Sequence, residues 1–325
     1  MSPSQRSFGR WLCLTQVVAL LGVTSLVHEA APRKLVDGVV KVVPAAPNAG
    51  DTVSGPYAMR SLLAAAAGTA WKPYSMPASE TLLARAETAT MHRPVWQLEF
   101  GFKPIRMLRT EIREADGSSR RVLVWYMVYY VRNPGQHLSP TPEPNAFQAN
   151  EFQVKPRDHV VRFLPTFVLQ AHDVKKAYLD QVLPTVVEQI RAREDPAIRF
   201  HHSVDISKVR LLPSDETERV WGVATWIDVD PRIDFFSVYV QGLTNAYRWQ
   251  DLPGAAVQPG APPDATRRIR QKTLQINFYR PGDTEHEHES EIFVGAPTNE
   301  DPALQKDMLQ RYDLEAPLEY QWIYR

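Results

Sequence analysis

The chain has 325 residues, and its 37 lysines and arginines balance 37 aspartates and glutamates, so the formal net charge is zero. This length suits one large domain or two ordinary ones. The balance argues against nucleic acid as a partner, since a binder normally carries a basic excess, and no block of like charge predicts a polybasic membrane patch. The single cysteine, Cys13, lies in an apolar N-terminal segment. If that segment is removed, the mature protein has no thiol, which excludes disulfides and thiol chemistry.

Residues 1–31 have the pattern of a targeting signal. Arg6 and Arg10 precede an apolar run at residues 11–27, and the small residues Ala30 and Ala31 follow it. The run is short for a membrane-spanning helix. A cleaved signal peptide is therefore the favoured interpretation, and an uncleaved anchor that tethers the protein through residues 11–27 is the alternative. Both predict export to the periplasm or cell envelope.

Residues 32–92 are predicted to be a linker-like, partly helical segment. Residues 44–57 are rich in Pro, Ala and Gly, which is typical of a linker, and short helices are expected at 62–67 and 79–88. The folded domain is predicted to cover residues 93–325.

Within this domain, alternation and β-branched or aromatic content predict a series of strands. The run at 121–131 is almost wholly apolar, as expected of a strand buried on both faces. A helix is predicted at 184–193, with proline in its first turn, and another at 299–312. Further strands are predicted at 95–102, 105–112, 159–170, 199–211, 272–279, 291–294 and 320–325.

The clearest alternation lies between Arg219 and Trp249, where two predicted strands flank an Asp-Pro turn as a hairpin. Phe236, Val238 and Val240 form its inward face. Several long strands, separated by Pro/Gly loops and accompanied by one or two short helices, predict a mainly β fold. The predicted architecture is an antiparallel β-sandwich, immunoglobulin-like or related.

Two segments could hold a metal ion. His286 and His288 share one face of an extended segment, a pattern that can bind zinc or copper, although a solvated hairpin tip or a charge-protected edge strand is the favoured interpretation. Asp228, Asp230 and Asp234 offer clustered carboxylates for calcium, although turn chemistry accounts for them without an ion. No cofactor is predicted.

Aromatic and amide side chains near the end of the central stretch suggest a binding surface. The candidates are Tyr239, Asn245, Tyr247 and Trp249, which could stack on a sugar or a protein partner, although core packing is the commoner role of aromatic residues. The chain lacks the sequence motifs of serine hydrolases, zinc proteases, P-loops and dinucleotide sites. A carboxylate pair for hydrolysis stays open, because such a pair is defined in space rather than in sequence.

Four stretches, KPIRMLRTEI, VLVWYMVYYVRN, VWGVATWIDVDPRIDFFSVYVQGLTNAYRW and LQINFYRPGD, resemble a family of exported bacterial proteins of uncharacterised activity. The resemblance covers about residues 93–295 and implies export and one shared domain, without an activity or site residues. The favoured function is a non-catalytic structural or binding module of the cell envelope, with a protein or glycan partner. A secreted hydrolase and a metal-binding protein are the alternatives.

Overall fold

The structure is a computed structural model that describes residues 40–56, 90–114, 116–140, 152–156, 160–215, 217–251, 267–280 and 292–325. The predicted signal segment, the predicted helices at 62–67 and 79–88, His159, and the pair His286 and His288 lie outside these residues. In the described part of the chain, no helix is long and apolar enough to span a bilayer.

Strands dominate the described chain, and three α-helices and one short 3-10 helix, Ala49–Thr52, accompany them. The strands are β1 Lys41–Val43, β2 Val53–Pro56, β3 Thr90–His92, β4 Val95–Trp96, β5 Glu99–Phe102, β6 Arg106–Arg113, β7 Ser119–Arg132, β8 Gln136–Pro140, β9 Phe152–Pro156, β10 Thr166–Ala171, β11 Lys176–Leu179, β12 Val220–Trp226, β13 Phe235–Gln241, β14 Tyr247–Asp251, β15 Arg267–Tyr279, β16 Phe293–Val294 and β17 Tyr320–Tyr324. The α-helices are α1 Pro184–Glu194, α2 Ser203–Ile206 and α3 Pro302–Arg311.

Two antiparallel sheets form the body of the protein. The front sheet runs in the order β1-β5-β7-β12, and β6 pairs with β7 beyond β5. The back sheet runs β11-β10-β13-β15, and β14, β16 and β17 also pair with β15. These sheets confirm the predicted mainly β sandwich. Because β1 pairs with β5, the folded domain includes residues that the sequence assigns to a linker.

Aromatic side chains fill the space between the two sheets. The ring of Tyr129 on β7 lies 4.7 Å from that of Phe167 on β10, and Trp125 lies 5.6 Å from Phe236. As predicted, Phe236, Val238 and Val240 point into this core. Strand β7 is buried on both faces, which confirms the interpretation of its apolar run.

The predicted hairpin between Arg219 and Trp249 is wrong. Strand β12 pairs with β7 in the front sheet, whereas β13 pairs with β10 and β15 in the back sheet. The connection carries the buried residues Ile227, Val229 and Ile233, so it packs with the core instead of forming an exposed turn. Alternation within a strand identifies its buried face, but it does not identify the strand beside it.

Two other predicted strands differ from the structure. Residues 199–211 contain α2 rather than a strand, because the ring of His202 accepts a hydrogen bond from the Asp205 backbone and caps the helix. Regular strand in the region 159–170 begins only at Thr166, directly after Pro165, which has no backbone donor for a ladder.

Helix α1 covers the outer face of the front sheet through Val186, Val187 and Ile190. Its last residue, Glu194, has a side chain that is only 1% exposed. The Glu194 carboxylate accepts hydrogen bonds from Arg106 at 2.7 Å, Tyr126 at 2.8 Å and Lys103 at 3.1 Å. Burial alone would raise the pKa of Glu194, but these partners outweigh it and hold the pKa below its ordinary value.

The outer face of the back sheet is also buried, although the sequence predicts only one buried face for β13. Ser237, Gln275 and Asn277 form a hydrogen-bonded layer under the C-terminal segment, where Asn277 donates to the Leu318 carbonyl at 3.0 Å. The His172 ring is hydrogen-bonded to Ser237 at 2.9 Å. Burial lowers the pKa of His172 to about 4.

Replacing Glu194 with alanine should destabilise the protein strongly, because Lys103 and Arg106 would lose their shared carboxylate beneath α1. We expect a loss of about 3 kcal/mol in the free energy of unfolding. The control is Glu188→Ala on the same helix, whose side chain is 65% exposed and whose loss should cost less than about 1 kcal/mol. Urea unfolding followed by tryptophan fluorescence measures both, and equal effects would contradict the role of Glu194.

His172 should make the protein less stable as the solution becomes acidic. The unfolded chain binds a proton at His172 near pH 6.5, whereas the native protein binds it near pH 4, so native stability is lost as pH falls between these values. We expect this group to contribute about 2 kcal/mol to the loss between about pH 7 and pH 4.5. His172→Gln should show a shallower decline in urea unfolding, and an unchanged decline would contradict the assignment.

Candidate functional site

A buried ammonium group holds an N-terminal strap against the back sheet. The strap is residues 44–52, which follow β1. The Lys272 ammonium, with a side chain 5% exposed, donates to the Asp51 carboxylate and to the Ala46 carbonyl. Tyr324 on β17 donates to the other oxygen of Asp51. The strap therefore covers the inner face of the back sheet at the end where Lys272 lies.

The strap also forms one wall of a small cavity of about 50 Å³. Two neutral amides, one histidine and apolar groups line it, and the lining contains no carboxylate. The lining residues are Ala45, Pro47, Val95, Gln97, Pro134, Gln136, His137 and Leu138. A cavity of this size holds about one or two water molecules. The Gln97 amide is buried there, and neither its nitrogen nor its oxygen is hydrogen-bonded to a described residue.

The residues between β13 and β14 attach the back sheet to β4. Gly242 has a φ of +92°, and a Cβ atom there would lie 2.2 Å from the Leu164 carbonyl oxygen, so the chain requires glycine at this bend. Asn245 accepts a hydrogen bond from the Trp96 backbone at 3.0 Å and donates to the Pro94 carbonyl at 3.2 Å. The predicted binding residue Asn245 thus forms a link within the fold.

The predicted aromatic binding residues do not form one open surface. Tyr239 is 7% exposed and lies beneath the Arg325 guanidinium, 4.0 Å from the ring centre. Tyr247 carries the Arg93 guanidinium 3.4 Å above its ring. Trp249 is half-buried on β14, opposite Ile269 of β15. These rings contact the protein's own residues, and Tyr239 and Tyr247 are stacked with arginines.

Three exposed arginines in this region lie on a two-stranded arginine ribbon, which we define as β14 and residues 267–271 of β15. In the ribbon, Arg248 lies directly opposite Arg270. Arg268 is two residues along the strand from Arg270, so all three arginines share one face. All three are exposed. The ribbon therefore presents a compact cationic surface.

This cationic face is the continuation of the sandwich core. Leu274, Ile276 and Phe278 of β15 point inward against the front sheet. Side chains alternate along a strand, so Lys272, Arg270 and Arg268 extend the same face. The strap covers Lys272, and past the strap Arg270 and Arg268 are exposed.

The three arginines differ in how they are held. Arg248 stacks on the Tyr324 ring, with its guanidinium 4.1 Å from the ring centre, which fixes its position at the edge of the strap. Arg268 and Arg270 form no ion pair with any carboxylate among the residues that the structure describes. Like charges directly opposite on paired strands repel, so the pair of Arg248 and Arg270 costs stability unless an anion lies near it.

The structure places the predicted metal-binding aspartates in separate interactions. Asp228 is paired with Arg120 at 2.8 Å, and Asp230 with Arg232 at 2.9 Å. The Asp234 backbone N–H donates to Asp173 at the start of β13. Within the described ranges, no three histidine, cysteine or acidic side chains lie close enough to share an ion. The site at His286 and His288 stays a prediction.

Two partly buried carboxylates elsewhere have structural partners. Glu99 is paired with Arg132, and its pKa is lowered chiefly by that hydrogen bond. Asp180 accepts from the Ser203 hydroxyl, and burial raises its pKa. Glu99 and Asp180 lie in different parts of the fold, and each is bound to its own partner rather than facing a second carboxylate. No feature of the described residues therefore favours the hydrolase alternative.

Sequence reasoning missed the ribbon because its charges come from two separated segments. The run RRIRQK at residues 267–272 contains three arginines, but it follows a Pro/Gly-rich loop, and the predicted strand begins only at Lys272. The sequence did contain a signal for part of the ribbon: Arg268, Arg270 and Lys272 have the same two-residue spacing as Leu274, so they would share its face if the strand began earlier. Arg248 joins them only through strand register.

Comparisons of the chain with protein-family models, with curated proteins and with solved structures find no match. The resemblance to exported bacterial proteins therefore stays a prediction, and the functional case depends on the residues themselves.

Removing the Lys272 ammonium should release the strap. Asp51 is only 1% exposed, and Lys272→Met leaves its buried carboxylate without the ammonium partner. We therefore expect a loss of about 3–5 kcal/mol in the free energy of unfolding. The double variant Asp51→Leu/Lys272→Met removes both charges and should recover most of that loss. Urea unfolding of the three proteins tests this, and additive losses would contradict a direct pair.

Proposed function

We propose that the protein is an exported, non-catalytic binding module of the cell envelope that holds an anionic partner on its arginine ribbon. The observation that carries this proposal is the open face of Arg248, Arg268 and Arg270, in which two arginines face each other across paired strands. Export is supported by the signal-like pattern of residues 1–31.

The arrangement of the ribbon favours anion binding over a purely structural role. Other arginines of the fold, such as Arg106 and Arg132, are paired with buried carboxylates and stabilise their elements. Arg268 and Arg270 have no such partner among the described residues. A guanidinium offers several donors in a planar fork that suits phosphate, sulfate and carboxylate groups. An anion placed between Arg248 and Arg270 would also relieve their mutual repulsion.

The rigidity of the ribbon supports the same function. Five consecutive residue pairs join β14 to β15, from Tyr247 opposite Gln271 to Asp251 opposite Arg267. Arg248 is held by Tyr324, which belongs to the strand that also fixes the strap. A cationic surface on paired strands loses less conformational freedom on binding than one on a mobile loop.

Replacing Arg270 with glutamine should weaken binding and slightly stabilise the protein, because it removes a ligand contact and a repulsive pair together. On immobilised dextran sulfate, the variant should elute at lower salt than the unchanged protein. Its free energy of unfolding should rise by about 0.2–1 kcal/mol.

The matched control is Arg162→Gln, which removes the same charge from an exposed position outside the ribbon. This control should leave the salt of elution nearly unchanged. Equal elution shifts for the two variants would show that net charge alone governs retention, and they would overturn the proposal.

A further inference from the structure

The two faces of the arginine ribbon differ in chemistry. Arg248, Arg268 and Arg270 occupy one face, whereas Trp249 and Ile269 form a directly opposed pair on the other. Ile269 is 53% exposed, and Trp249 is half-buried beside it. The ribbon thus carries a pair of arginines, Arg248 and Arg270, next to an apolar pair, Trp249 and Ile269, on the opposite face.

The ribbon extends past the end of its neighbouring strand. The backbone of Arg325, the last residue, exchanges two hydrogen bonds with Gln271, at 2.9 Å and 3.0 Å. Beyond that point, β14 is the only strand paired with β15 among the residues that the structure describes. Residues 267–270 therefore continue for about 13 Å without a described strand on their second side. A flat surface that meets this edge can contact long side chains from both faces.

From these features we infer that the partner of the ribbon is a membrane surface rich in anionic phospholipid. This inference rests on the proposed anion-binding function and names its partner. Arg248, Arg268 and Arg270 contact lipid phosphates, and Trp249 and Ile269 enter the boundary between headgroups and acyl chains. Tryptophan favours that boundary, since its ring is apolar and its N–H is polar.

The apolar pair favours a bilayer over a soluble polyanion. A soluble polymer of sulfate or phosphate groups would engage the arginine face and leave Ile269 in water. An interfacial surface uses both, because binding strength follows buried apolar area together with attraction to anionic lipid. Each arginine near an anionic surface strengthens binding roughly five-fold, which gives about a hundred-fold for three.

The N-terminal strap forms one border of the arginine face. A Cβ atom on Gly50 would lie 2.9 Å from the Arg248 guanidinium, so the strap passes beside the ribbon. The described chain starts at residue 40, and Lys41 is paired with Glu319 at the start of β17. The strand that starts there ends at Tyr324, which contacts Arg248.

The test measures where Ile269 lies when the full chain is mixed with lipid vesicles. A nitroxide label is attached at Ile269→Cys in a Cys13→Ser background, and a second protein carries the label at Leu212→Cys, where the native side chain is 59% exposed. The vesicles contain phosphatidylglycerol and phosphatidylcholine, or phosphatidylcholine alone. Electron paramagnetic resonance compares collisions of the label with a water-soluble nickel reagent and with oxygen, which concentrates in the bilayer.

In the anionic vesicles, the label at position 269 should become several-fold less accessible to nickel and more accessible to oxygen, and the label at 212 should stay aqueous. The double variant Arg268→Gln/Arg270→Gln should abolish the change at 269. The control Arg162→Gln/Arg210→Gln, with the same charge loss at exposed positions, should preserve it. An N-terminal anchor would act equally in all variants, so the difference between them reports the ribbon.

A label at 269 that stays aqueous in anionic vesicles would overturn the membrane inference. If the same protein still binds dextran sulfate through Arg270, the proposed function survives and the partner is a soluble polyanion such as an anionic glycan. If it binds neither, the proposed function also fails. Penetration that is equal in neutral vesicles, or equal in the two double variants, would likewise exclude a role for the arginines.

Discussion

The contact between the Lys272 ammonium and the Asp51 carboxylate is the interaction on which the candidate site depends. It lies at the point where β15 changes from a core strand to a charged one. On one side, Leu274, Ile276 and Phe278 pack against the front sheet; on the other, Arg270 and Arg268 are exposed. An ammonium buried without a partner would be strongly unfavourable, so Lys272 requires the strap that supplies Asp51. The same strap then forms the border of the exposed arginine face.

The distribution of charge explains how a chain with no net charge can have a strongly cationic end. Acidic residues elsewhere are used to fix elements: Glu194 holds α1 on the front sheet, and Glu99 is paired with Arg132. At the ribbon, the one described buried carboxylate, Asp51, is already occupied by Lys272 and Tyr324. No carboxylate among the described residues pairs with the arginines beyond it, and this is the physical basis for an anionic partner.

Much of the fold follows from the sequence because alternation and apolar content report burial directly. The inward residues of β13 and the doubly buried β7 are both evident from residue order. Strand pairing cannot be predicted in this way. The residues of β12 and β13 do not show that the two strands belong to opposite sheets, because this depends on the length and the burial of the connection through Ile227 and Ile233. The site was hidden for the same reason, since Arg248 and Arg270 become neighbours only through the register of β14 and β15.

The most direct measurement of the central claim is an NMR titration that follows the Nε–H signals of individual arginines. A short-chain, water-soluble phosphatidylglycerol is added below the concentration at which it aggregates. The account predicts that the signals of Arg248, Arg268 and Arg270 shift together with one dissociation constant, while those of Arg162 and Arg210 do not move. Shifts spread evenly over all exposed arginines, or confined to residues outside the ribbon, would contradict it.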